Sequence, residues 1–372
     1  MLNSWLWFIL AFLSLPLVWL KPRRSIKKVI IFAQSKIGDF VTQTPLFREL
    51  KKGFPRVFIT VVLTNYNLKA LIKCDPNINE ILIWDEKASK FSKIKLLFKL
   101  LIRNYDYSIN LSFQSWVDFI SIFILVPKRI IIQGLNPGPF SRFFHRISGS
   151  NIVNYAKGSY STDVYLAALR FLGVAGFDVK RKLFPCPEDR KFVDMIINRY
   201  VPKNKKYFIG INSSCGNKLK EWPEDKFARL ADLILDNFNA TVIFTAGLND
   251  KLTTESILTL MKKQAVDFSG QLNLGQFLAF CEKLNLFISV DSGPLFIANA
   301  IGTPVVDISG PVDPKENLFL SPKAIAVYPQ IQCRPCSFVI ATARECRLNT
   351  RECLMKIAPE QVFEQVRKIL NG

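Results

Sequence analysis

Residues 284–311, LNLFISVDSGPLFIANAIGTPVVDISGP, constrain this chain more than any other stretch. The apolar run from Leu286 to Val290 has the composition of a strand buried on both faces. It breaks at Asp291-Ser292-Gly293-Pro294, a strand-to-helix turn. Ser292 suits the cap of the following helix and Pro294 its first turn. A short helix, Leu295 to Ala300, ends at Gly302, and a second strand, Pro304 to Ile308, runs into Gly310-Pro311. This is one βαβ unit of a parallel sheet, which keeps its ligand site outside the carboxyl ends of its strands. The helix start after Asp291 offers backbone N–H groups and a positive dipole end, a seat for phosphate. The same residues also satisfy an ordinary β–α turn, so this stretch alone leaves both readings open.

Alternation of the same kind fills the rest of the chain. Val29 to Ala33 reads as a strand, Gln34 to Asp39 as its loop, Phe40 to Lys52 as an amphipathic helix and Val57 to Leu63 as the next strand. A strand at Glu80 to Trp84, a basic helix at about 90–103, a strand at Tyr107 to Ser112, an apolar helix at Gln114 to Val126 and a short strand at Ile130 to Gln133 follow. Residues 136–161, rich in Gly, Pro, Ser and Arg, read as an extended loop, and Thr162 to Leu172 as a helix. Residues 180–206 read as a connection. The pattern then restarts: strand Tyr207 to Asn212, polar loop 213–218, helix 224–237, strand Ala240 to Thr245, loop 246–250, strand Val266 to Phe268 and helix 275–283. The expected fold is α/β with two Rossmann-like domains, at 26–182 and 207–358, joined by a linker at 183–206 and closed by a helix at 359–372.

The amino terminus carries a different signal. Leu2 to Leu20 is uncharged over 19 residues, enough to span about 28 Å as a helix. Lys21, Arg23, Arg24, Lys27 and Lys28 follow it, and no cleavage site does. The expectation is a single transmembrane helix at 2–20 that holds the body on the cytoplasmic face of the inner membrane. A membrane-associated hairpin or a spurious translated start is the alternative. Lys and Arg exceed Asp and Glu by 50 to 30, a net charge of +20. That balance calls for an acidic partner: nucleic acid, anionic membrane or phosphorylated substrate. No aromatic stacking platform or nucleic-acid motif accompanies it, so nucleic acid is set aside.

Candidate chemistry is sparse. His145 is the only histidine, which excludes a histidine-built zinc hydrolase; on a basic segment it is expected to meet an acceptor or solvent. Asp39 falls at the exit of the first strand, where α/β proteins keep their chemistry, but an Asp at a helix start is also a good cap. Cys333, Cys336, Cys346 and Cys353 form C-x2-C-x9-C-x6-C, a spacing open to a structural zinc or to thiols packing a C-terminal clip.

Four segments, in order, resemble glycosyltransferase family 9, the ADP-heptose:lipopolysaccharide heptosyltransferases. They are SKIGDFVTQTPLFRELKKGFP at 35–55, INSSCGNKLKEWPEDKFARLADLI at 211–234, TAGLNDK at 245–251 and SVDSGPLFIANAIGTPVVDISGPVDP at 289–314. The cysteine-bearing tail is similar to those of many members. The resemblance implies a GT-B fold, two Rossmann-like domains facing across a cleft, and an inverting, metal-independent transfer of a heptose or related sugar to the lipopolysaccharide core. It implies no cofactor beyond the nucleotide-sugar donor, ADP-heptose first. Asp39 matches the general base and Lys220 the lysine on the donor diphosphate. Asp291, Ser292 and Gly293 match the phosphate turn, Asp250 falls near the ribose acid, and Ser214 and Gly216 line the donor loop. The acceptor, a lipopolysaccharide core or lipid A-linked sugar at an anionic membrane, is expected to meet Lys36, Gln114, Arg142 and Arg146, with Arg129 beside them. Two positions depart from the family: Phe296 stands where a His is common, and Asn110 where an Asp is usual. Two alternatives stay open: a GT-B transferase for another nucleotide sugar, and a non-catalytic anionic-lipid binder on a related fold.

Overall fold

The computed structural model describes residues 4–21, 25–135, 138–202, 204–318 and 320–371. The chain divides into two compact units, Met1–Val179 and Lys180–Gly372.

In the first unit, helix α1 (Ser4–Trp19) precedes strand β1 (Lys28–Phe32). Helix α2 (Ile37–Gly53), strand β2 (Phe58–Leu63), the single-turn α3 (Lys69–Ile72) and strand β3 (Glu80–Ile83) follow. Then come α4 (Lys90–Arg103), β4 (Tyr107–Asn110), α5 (Ser115–Phe123), β5 (Lys128–Gln133), α6 (Pro139–Ser148), β6 (Asn151–Asn154) and α7 (Ser161–Ala167). The strands form one parallel sheet in the order β3-β2-β1-β4-β5-β6. The order reverses between β1 and β4, and the loops leaving those two strands therefore flank the crevice that such sheets use for ligands. Asp106 fixes the start of β1: its carboxylate accepts from the backbone N–H of Lys27 at 2.9 Å and of Lys28 at 2.8 Å.

The second unit repeats the plan. Its elements are α8 (Pro187–Tyr200), β7 (Tyr207–Asn212), α9 (Glu224–Asn237), β8 (Ala240–Phe244), α10 (Lys251–Leu260), β9 (Val266–Asp267) and α11 (Leu274–Cys281). After these come β10 (Leu286–Val290), α12 (Gly293–Ile301), β11 (Val305–Ile308), α13 (Pro314–Asn317), β12 (Ala324–Val327), α14 (Glu352–Met355) and α15 (Pro359–Asn371). The sheet runs β12-β11-β10-β7-β8-β9, again parallel, with its reversal between β7 and β10. Both sheet interiors are fully buried, as runs such as VIIF and LFISV require. The carboxyl-terminal helices close the second core: Val362, Phe363 and Val366 of α15 join Phe227, Leu230 and Ile234 of α9. The Trp222 indole N–H donates to the Ile357 carbonyl at 3.2 Å.

The structure corrects several expectations. Among the described residues no helix is long and apolar enough to cross a membrane, which overturns the transmembrane helix at 2–20 and the single-pass anchoring read from it. Helix α1 spans 16 residues and packs along α5. Ala11, Leu15 and Val18, spaced one helical turn apart, sink into the core with Val117 and Ile120. The Lys21 ammonium donates to the Leu125 carbonyl at 2.7 Å. The uncharged run is thus in part the buried stripe of a packed helix. Residues 136–161 are not an extended loop, since they hold α6 and β6. Pro139 starts α6, and Gly149, at φ +64°, ends it in the left-handed region. Proline at the start and glycine just past the end are helix boundary signals, and here they resemble loop composition. The stretch read as a connection is largely α8, whose Val193 and Ile196 are buried and whose Arg190 grips Glu282 at 2.7 and 2.8 Å.

Candidate active site

In the second unit the loops leaving β7 and β10 flank the reversal point of the sheet, with Asn212 paired beside Ser289. After β7, Asn212, Ser213 and Ser214 are buried and Gly216 is exposed. The Ser214 hydroxyl donates to the Asn212 side-chain oxygen at 3.4 Å. Asn217 caps a single 3-10 turn, Lys218–Lys220, by accepting from the Leu219 N–H at 3.2 Å. That turn aims Lys220 across the sheet, where its ammonium bonds the Asp291 carboxylate at the exit of β10. The Lys220 side chain is 18 % exposed and that of Asp291 9 %, so a small part of a charged pair faces outward. Directly after Asp291, α12 begins at Gly293 with Pro294 in its first turn. Its first N–H groups and positive end lie beside the pair. The Ser292 hydroxyl does not cap this helix as the sequence suggested; it shares a 2.9 Å hydrogen bond with Ser289. Asp250 is partly buried at the start of α10.

Asp307 was not singled out in the sequence. It lies on β11 beside Ser289 in register and is fully buried. Burial pushes its carboxyl well above the carboxylate range and the Asp291 charge adds to the push, while Lys220, Ser309 and Arg334 only partly offset it. Neither oxygen makes a well-formed hydrogen bond. The acid beside the Lys220–Asp291 pair therefore favours its protonated, uncharged form. The available signal was an acid in the middle of the apolar run VVDI, where a both-faces-buried strand has no use for charge. Arg334 lies close by: its guanidinium donates to the Gly310 carbonyl at 2.6 Å and the Val312 carbonyl at 2.6 Å and stacks on Tyr328 at 4.0 Å.

Linkage gives Asp307 a testable sign. Its folded form holds a proton that the unfolded chain releases above the ordinary carboxylate range, so its contribution to stability is lost as pH rises. Asp307→Asn, the same size but uncharged at every pH, is expected to raise the melting temperature at pH 7.5. The gain should vanish near pH 4. A melting temperature lowered equally at both values would contradict a neutral Asp307.

In the first unit, the loop after β1 runs from Gln34 to Lys36, and α2 begins at Ile37. Lys36 is the cap position, so Asp39 is the third residue of the helix and does not cap it. A carboxylate in a first turn is favoured by the helix dipole. Asp39 is partly buried: burial pushes the phenol of Tyr165 on α7 well above its ordinary range, and the Asp39 charge adds to that. Thr162 ties α7 to α2 by donating to the Thr42 carbonyl at 3.0 Å. Lys36 is exposed. Gln114 follows the adjacent strand β4, where the Asn110 side-chain N–H donates to its carbonyl at 3.3 Å.

The basic residues expected around an acceptor divide. Arg142 and Arg146 are exposed on α6. Arg129 is only 2 % exposed and donates to the Val126 carbonyl at 2.5 Å and to the Ser148 carbonyl, so it holds the fold. Burial lowers its pKa to about 10, which leaves it charged at neutral pH. His145 is buried too: its Nε2 lies 3.0 Å from Asp118, whose other oxygen accepts from Asn110 at 2.7 Å. Asn110, the departure noted above, is therefore the amide partner of a buried acid. An Asp there would set two carboxylates against each other.

The four tail cysteines are free. Cys346 is pulled down by backbone N–H groups of Arg351 and its neighbours, while burial pushes Cys336 and Cys353 up. Among the described residues, the tail cysteines do not bring three donor atoms within 4.8 Å of one another.

Comparison with known proteins agrees with this geometry. The family described as glycosyltransferase family 9 (heptosyltransferase) matches residues 163–346. Lipooligosaccharide heptosyltransferase 2 of Campylobacter jejuni is 25% identical over 355 residues, 93% of this chain and 99% of that protein. The crystal structure of a family 9 glycosyl transferase from Veillonella parvula superposes with a TM-score of 0.77 at 22% identity, covering 95% of this chain and 100% of that one. The structure of the ADP-heptose lipopolysaccharide heptosyltransferase II of Escherichia coli superposes with a TM-score of 0.73 at 18% identity, covering 92% and 98%. The two-domain α/β architecture is similar to that of these proteins, and residues 163–346 carry the match to glycosyltransferase family 9.

Proposed function

We propose that this chain transfers a heptose from ADP-heptose to a hydroxyl of the lipopolysaccharide core, with inversion and without a metal ion. The observation that carries the reading is the Lys220–Asp291 pair at the mouth of α12. The Lys220 ammonium and the free N–H donors at the start of α12 lie together where a diphosphate leaving group needs both. Asp39 takes the proton of the acceptor hydroxyl. That oxygen then forms the bond to the anomeric carbon as the carbon–oxygen bond to the diphosphate breaks, and the electron pair leaves on ADP. Lys220 and the N–H groups of Ser292 and Gly293 balance the charge that develops. Ser214 and Gly216 line the donor and Asp250 holds its ribose. Lys36, Gln114, Arg142 and Arg146 hold the anionic acceptor. ADP-heptose is named for the Escherichia coli enzyme of the same fold, and lipooligosaccharide for the Campylobacter jejuni relative.

A different nucleotide sugar is the second reading, and Phe296 favours it. This side chain is 3 % exposed, with the Arg181 guanidinium 5.9 Å from its ring centre, so an apolar ring occupies the position where relatives commonly carry imidazole. The test incubates the purified chain in EDTA with ADP-heptose and heptose-deficient core oligosaccharide, and follows ADP release and the mass of the oligosaccharide. The expected result is addition of one heptose, with ADP a better competitor than UDP or GDP by tenfold or more. Turnover only with a uridine or guanosine donor would move the assignment to the second reading. Loss of turnover in EDTA, restored by a divalent ion, would remove metal independence.

A further inference from the structure

Helix α4 is apolar on two sides. Leu97 and Leu100 sink into the core of the first unit. Phe91, Ile94, Phe98 and Ile102 recur at intervals of three and four on the opposite side, 77, 46, 56 and 81 % exposed. A helix on a protein surface ordinarily turns polar residues outward. One exposed apolar side chain means little, but four large ones in a single stripe mark an interaction surface. Lys90 and Lys95 are exposed beside the stripe, Lys99 lies 3.4 Å from Glu80, and α4 contains no acidic residue. Two other helices of the same core cluster present similar chemistry. On α1, Leu13, Leu17 and Trp19 point outward; on α6, Phe143 is 59 % exposed between Arg142 and Arg146.

The charge decides between occupants. A second copy of the chain, packed face to face, would bring these lysines against one another in a protein of net charge +20. An acidic lipid surface complements both features: phenyl and isoleucine side chains enter the acyl boundary while lysine stems reach back to the head groups. The geometry points to the outer face of α4 as a docking surface for an anionic bilayer, lying in the interface and not crossing it. This inference stands on α4 and does not depend on the sugar or the acceptor proposed above.

Flotation of the full chain with phosphatidylcholine vesicles, with and without phosphatidylglycerol, tests it. Phosphatidylglycerol vesicles should capture the protein, with capture falling as salt rises. The double variants Phe91→Ser/Phe98→Ser and Lys90→Glu/Lys95→Glu should each weaken capture by about tenfold or more. Their melting temperatures and their turnover on a soluble, deacylated acceptor should stay at the wild-type level. No capture of the wild type, or capture of both variants as tight as wild type, would overturn the inference. So would a wild-type dimer in sedimentation that Phe91→Ser/Phe98→Ser dissolves, because the face would then belong to a second copy.

Discussion

Asp39→Asn is expected to lose turnover by about 10²–10⁴-fold, the range of a single general base, while ADP affinity and melting temperature stay near wild type. The structure separates this role from a helix-capping one. Asp39 lies third in α2 behind Lys36 at the cap position, near the crevice end of β1, and its charge acts on the buried Tyr165 phenol. Asparagine at the third position forfeits only the favourable interaction of a charge with the helix dipole, about 0.3–1 kcal/mol. It keeps the shape and gives up the ability to take a proton. Turnover, melting temperature and ADP affinity of this one variant therefore decide the matter together. A variant that retains turnover within about threefold of wild type would end the general-base role. If turnover and melting temperature fell in proportion, Asp39 would be a structural acid.

Much of this architecture is legible in the residues, because its signals are local. Runs such as VIIF, FITVVL and LFISV have no reading except strands buried on both faces. Asp39 and Asp291 could be chosen because each follows a strand exit, whereas Lys220 stood out only through the resemblance of its segment to the family. What could not be read depends on distant partners. Nothing in the composition of 2–20 shows that Ala11, Leu15 and Val18 meet α5. Arg129 and His145 look like surface residues in a basic stretch, yet the Ser148 carbonyl that accepts from Arg129 and the Asp118 that pairs with His145 come from elsewhere in the chain. A buried polar group is identified by its partner, and the partner is set by the tertiary fold. Asp307 is the opposite case. Its local context was wrong for an acid, and the anomaly itself was the signal.

Lys220→Ala should raise the dissociation constant for ADP by roughly ten- to a hundredfold, the value of one charge-assisted hydrogen bond of about 1.5–3 kcal/mol. The single variant also leaves the mostly buried Asp291 carboxylate without its cation and close to Asp307. It therefore mixes two effects: a lost contact to the diphosphate, and a site that has become anionic. The double variant Lys220→Ala/Asp291→Asn separates them. Removing the Asp291 charge relieves the unpaired acid, so the melting temperature should return toward wild type. Affinity should recover only in part, because the ammonium that meets the diphosphate is still missing. The coupling energy of the cycle measures how far Asp291 serves to hold Lys220 in place. Calorimetry with ADP should show wild type tightest, the double variant next and Lys220→Ala weakest, with the spread narrowing as salt is added. Equal affinity in all three proteins would remove Lys220 from the donor site.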